Sequence, residues 1–80
     1  MTTMIERVAR AMAKAASPLP WEMGDEEWRN DFRTKARAAI EAMREPDEAM
    51  LDAGVNFRER NARTEQIWQA MIDAALKEKQ

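Results

Sequence analysis

Three prolines, Pro18, Pro20 and Pro46, interrupt a chain whose apolar residues otherwise recur at helical spacing. Proline lacks a backbone N–H and pushes the residue before it out of helical geometry, so these positions cut the chain into separate helices. No stretch alternates with period two over a useful length, and the pattern predicts an all-α protein. The expected form is a compact bundle of about four short helices, over roughly 3–16, 25–44, 46–60 and 64–78, in a single domain spanning 1–80. Short connections fit either an antiparallel bundle or two packed helical hairpins.

Each helix has a start signal. Thr3 with Glu6 three residues on has the capping-box pattern, and Met4, Ile5, Val8, Met12, Ala15 and Ala16 form the expected inner stripe of the first helix. Gly24 is the expected N-cap of the second. Asp25, Glu26 and Glu27 follow in its first turn, where carboxylates favour the positive end of the helix dipole. Met23 and Trp28 then have the spacing of a hydrophobic staple. Trp28, Phe32, Ala36, Ala39, Ile40 and Met43 make that helix's stripe. Pro46 suits the first position of the third helix, with Met50, Ala53, Gly54 and Phe57 on one face. An interior glycine costs only about 1 kcal/mol relative to alanine, so the helix is expected to continue through Gly54. The competing reading ends it there, with Gly54 at C′. Thr64 is the expected cap of the last helix, in which Ile67, Trp68, Met71, Ile72 and Ala75 share a face with Leu76 at its edge. The polar end after Leu76 is expected to fray.

At 80 residues only about 60% of the unfolded chain's surface can be buried, so modest stability is expected. Cysteine, histidine and tyrosine are all absent. That removes disulfides, thiolate metal sites, the usual zinc ligands and the commonest general base, and no cofactor or metal is expected. The carboxylates lie at helix starts or on polar faces, and Ser17, the only serine, precedes a proline. With only two glycines there is no phosphate-binding loop, so no catalytic residue is assigned and an enzyme is not expected. Thirteen basic and 15 acidic side chains give a net charge of −2, which disfavours a nucleic-acid partner. Residues 1–44 carry 8 basic and 7 acidic groups and residues 45–80 carry 5 and 8. Charges interrupt the apolar pattern of the first segment, which fits neither a signal peptide nor a membrane span. The expected setting is the cytoplasm, without membrane attachment.

The candidate partner-binding set is Trp21, Met23, Arg29, Arg33 and Arg37. Trp21 lies in the proline-rich connection, where no helical period assigns it inward. It is either an exposed anchor of the kind enriched at binding hot spots or a lid folded back over the core. Arg29, Arg33, Arg37 and Arg44 form a basic flank within about 80° on the second helix, suited to an acidic protein surface or a phosphate backbone. Local charge balance favours a solvated flank instead, with Asp25–Arg29 and Arg37–Glu41 pairs and acids donated by the third helix. The methionines at 4, 12, 43, 50 and 71 fall on expected core stripes, which favours gap-filling over an adaptable binding surface.

The segments IERVARAM (5–12), KARAAIEAMREPDEAM (35–50) and IWQAMIDAAL (67–76) together resemble a group of short accessory proteins of alphaproteobacterial phages and prophages. The resemblance spans roughly residues 4–76 and implies a small viral protein acting inside a bacterial host. By analogy of class it implies an anti-CRISPR or other anti-defence inhibitor that occludes a surface of a host protein complex. Two alternatives stand beside it. One is a virion or morphogenesis accessory protein that associates with further copies of itself, and the other is a small nucleic-acid-binding regulator using the arginine flank.

Overall fold

The computed structural model describes residues 3–77. These form four α-helices and one short 3-10 turn, with no strand among them, so the protein is all-α. The helices pack in pairs, α1 (Met4–Ala16) with α2 (Glu26–Ala42) and α3 (Glu48–Glu59) with α4 (Thr64–Leu76). The pairs belong to two compact units, Met1–Arg44 and Glu45–Gln80.

In the first unit, Thr3 caps α1 by accepting the Glu6 N–H through its hydroxyl. The inner face of α1 differs from the expected stripe. Ala9 and Ala13 are buried, flanked by half-buried Ile5, Val8 and Met12, whereas Met4, Ala15 and Ala16 are exposed. Alanine has no side chain beyond Cβ, so α2 approaches closely there and buries Phe32 and Ala36 in the same cluster. Met43 and Ala39, also expected inward, are exposed, and α2 ends at Ala42, short of Arg44.

Asp25, and not Gly24, caps α2. Its carboxylate accepts the Trp28 N–H at 2.8 Å, a bond glycine cannot supply. The one-residue shift takes Met23 and Trp28 out of staple spacing, and Met23 is 72% exposed. Gly24 has another role. A Cβ built there would lie 2.1 Å from Cε3 of Trp28, so the indole occupies the space a side chain would need.

In the second unit, Asp47 caps α3 by accepting the Met50 N–H. Pro46 therefore precedes the cap instead of opening the helix. The helix runs through Gly54 unbroken, with Met50 and Gly54 buried. Gly54 faces α4, where an added Cβ would sit 3.0 Å from Sδ of Met71 and 3.7 Å from Cγ2 of Ile67. A Schellman turn ends α3. Asn61 has φ of 59°, its N–H donates to the Arg58 carbonyl, and the Ala62 N–H reaches back to that of Phe57. Arg63, not Thr64, stands at the N-cap of α4, because Gln66 Oε1 three residues on accepts the Arg63 N–H at 3.0 Å. The last helical residue is Leu76; the expected end at 78, and the expectation of fraying beyond Lys77, fall outside the described residues.

Candidate functional site

Trp21 opens the 3-10 turn Trp21–Met23, which Pro20 initiates by accepting the Met23 N–H through its carbonyl. The turn folds the indole back, half-buried, against the α1–α2 core, 5.8 Å from the ring of Trp28. Trp28 in turn meets Phe32 edge to face at 5.1 Å, a favourable arrangement for aromatic quadrupoles. Of the two readings of Trp21, the structure has the lid.

Two arginines of the basic flank serve this lid. Arg29 donates to the carbonyls of Trp21 (3.0 Å) and Glu22 (2.8 Å), tying the turn to α2. Arg33 donates to Glu6 on α1 (2.5 Å), to Glu26 (2.7 Å) and to Asn30 (2.6 Å). Arg10 also reaches Glu6, and the Arg10 and Arg33 guanidinium groups lie 5.8 and 5.5 Å from the Trp21 ring. The hydrogen bond from Arg33 is the main reason that the Glu6 carboxyl is held below its ordinary range, outweighing the opposing effect of burial. Bonds to Glu26 and then Glu6 raise the Arg33 value. The acids that neutralise Arg29 and Arg33 thus come from within the first unit, Glu6 of α1 and Glu26 in the first turn of α2, and Asp25 serves as a cap in place of an ion pair with Arg29.

Met23 and Arg37, the remaining residues of the candidate set, are exposed on the first unit, and Arg37 makes no ion pair among the described residues. An open depression at the start of α2 is lined by Asp25, Glu27, Asp31, Asn30 and Thr34 beside Trp28. No cluster of acids suited to a metal ion occurs among the described residues.

Among the exposed apolar groups of the second unit, Trp68 lies where the sequence places core, whereas Leu51 and Val55 lie off the expected stripe and Leu76 at its edge. Trp68 is 47% exposed, Leu51 50% and Val55 43%. A Cβ at Gly54 would meet Ile67 and Met71 of α4, and α3 and α4 run side by side as a hairpin. Leu51 is one residue on from Met50, Val55 from Gly54 and Trp68 from Ile67, so each is rotated about 100° from an inward-facing neighbour. In an antiparallel pair these equal rotations lead to the same side. Leu51 and Val55 from α3 therefore share one face of the hairpin with Trp68 and half-buried Ile72 from α4. Sequence reading missed this face because it grouped Trp68 with Ile67, Met71, Ile72 and Ala75 on one inward stripe. The available signal was the angular offset of Trp68 from Ile67.

Among the described residues no helix is long and apolar enough to cross a membrane. No family model, curated protein or solved structure matches the chain.

Proposed function

We propose that the chain is a non-enzymatic protein-interaction module whose contact surface is the apolar face of the α3–α4 hairpin. The observation that carries this reading is an exposed tryptophan, Trp68, beside Leu51 and Val55. A contiguous exposed apolar patch marks an interaction surface, and tryptophan is the residue most enriched at binding hot spots. The resemblance to phage accessory proteins supports a more specific form, an anti-CRISPR-type inhibitor that occludes a surface of a host defence complex. The cytoplasm of the bacterial host is the setting that form requires. Met23 and Arg37 remain exposed on the first unit, whereas Trp21, Arg29 and Arg33 act by holding that unit together.

Phage plating in cells carrying defined defence systems tests the reading. Expression of the protein is expected to restore plating against one such system, and Trp68→Ala is expected to abolish rescue while circular dichroism shows an unchanged fold. Absence of rescue by the wild-type chain in every system overturns the inhibitor. The same exposed face supports self-association as a second reading, and sedimentation of the purified chain, showing monomer or multimer, decides it.

A further inference from the structure

The apolar face of the second unit has a charged border of one dominant sign. At about 100° per residue, Glu48, Asp52 and Glu59 follow Leu51 and Val55 around α3, and Glu65 lies beyond Trp68 on α4. All four are exposed, and none is in an ion pair among the described residues. Glu65 has only a hydrogen bond, 3.4 Å, from the Gln69 amide. The cation on this side is Arg58, while Arg60 lies on the other side of α3 over the Phe57 ring. Among the described residues of the second unit, four carboxylates around the apolar strip share their side with one cation, in contrast to the first unit, where Glu6 and Glu26 are bound by arginines.

We infer that this face docks a basic amphipathic helix of a partner protein, an assignment that rests on the interaction-module reading above and names the partner's chemistry. Two helices lying side by side leave a shallow furrow along their shared flank, and a third helix fills such a furrow with side chains at i, i+3 and i+4. Leu51, Val55, Trp68 and Ile72 receive the apolar stripe. Lysines or arginines bordering that stripe reach Glu48, Asp52, Glu59 and Glu65, which gives register and excludes acidic helices. A second copy of this surface is a poor occupant, because facing copies would oppose their carboxylates.

The test uses the full-length protein and three synthetic peptides. One is a helix with leucines on one face and lysines on the other, one carries glutamates in place of the lysines, and one is a scramble of the first without amphipathic order. Isothermal titration is expected to show binding of the basic peptide alone, weakening with added salt. Trp68→Ala is expected to weaken it by about tenfold or more, as is the pair Glu48→Lys with Asp52→Lys. Both variants replace exposed side chains, and their melting curves check that they fold. Equal binding of the acidic or scrambled peptide overturns the proposal. So does binding indifferent to both variants, or self-association of the protein that Trp68→Ala abolishes. Plating rescue that depends on Trp68, in a protein that ignores the basic peptide, leaves the interaction module standing and removes only its basic partner. Failure of rescue in every system removes the inhibitor reading itself.

Discussion

Two glycines show how the same substitution has opposite consequences in different surroundings. At Gly24 the backbone is extended, φ −75° and ψ 152°, so alanine meets no backbone strain. Its Cβ would nonetheless fall 2.1 Å from the Trp28 ring, which is wedged between Gly24, Trp21 and Phe32. Gly24→Ala is expected to destabilise by about 1–3 kcal/mol, the usual range for overpacking. At Gly54, within α3, the nearest atoms belong to a flexible methionine, Met71, that yields a few tenths of an ångström. There the intrinsic helix preference dominates, and Gly54→Ala is expected to raise stability by up to about 1 kcal/mol. Urea denaturation of both variants checks the pair, and a loss at Gly54 comparable to that at Gly24 refutes the distinction. Trp21→Ala removes the lid together with its tilted ring contact with Trp28 and its two arginine contacts. It is expected to cost about 1–3 kcal/mol, less than for a fully buried tryptophan. An unchanged urea midpoint would return Trp21 to the role of a free anchor.

At the scale of elements, the end of α3 depends on one residue in the left-handed region. Asn61 is the non-glycine residue at positive φ among those described, and its conformation aims two N–H groups back at the α3 carbonyls. Asn61→Ala is expected to cost about 1 kcal/mol and Asn61→Gly to be neutral or stabilising, because only a residue without Cβ is free of the left-handed penalty. Thermal melts that rank alanine above glycine would contradict the Schellman turn. The same turn shows where the sequence stops being legible. The 3.6 period, Thr3 and the prolines mark out four helices, although Pro46 precedes the Asp47 cap instead of opening α3, and ERNA at 59–62 gives no glycine to announce a C-cap. Alanine conceals the faces in a similar way. Ala9 and Ala13 are core and Ala15, Ala16 and Ala39 are not, and nothing in the residue type separates them. Trp68 was misplaced for a different reason. The arc that α4 turns toward α3 through Ile67 and Met71 is narrower than the run of apolar residues on it, so Trp68 at the edge of the stripe stays exposed.

At the scale of the molecule, few side chains among the described residues are buried, with Ala9, Ala13, Phe32, Ala36 and Met50 forming the apolar set. Little burial leaves a narrow stability margin, so polar contacts that bridge helices weigh more in the balance than they would in a larger protein. The Glu6 carboxylate is the foremost of these, since it joins α1 to Arg33 of α2 and holds two guanidinium groups beside Trp21. Its folded pKa is lowered from an ordinary 4.5, chiefly by the Arg33 hydrogen bond. The unfolded chain therefore binds a proton at Glu6 more readily than the folded one does. The stability this group contributes is present above its ordinary value and is lost as pH falls through the lowered one. Glu6→Gln keeps the shape and removes the charge. Its melting temperature is expected to lie below that of the wild type at neutral pH, and the two are expected to converge as acid protonates the wild-type carboxyl. Circular dichroism melts from about pH 7 to about pH 3 follow that difference directly, because the remaining carboxylates titrate in both chains. Parallel curves across the range would show that Glu6 is not the group through which acid loosens the lid.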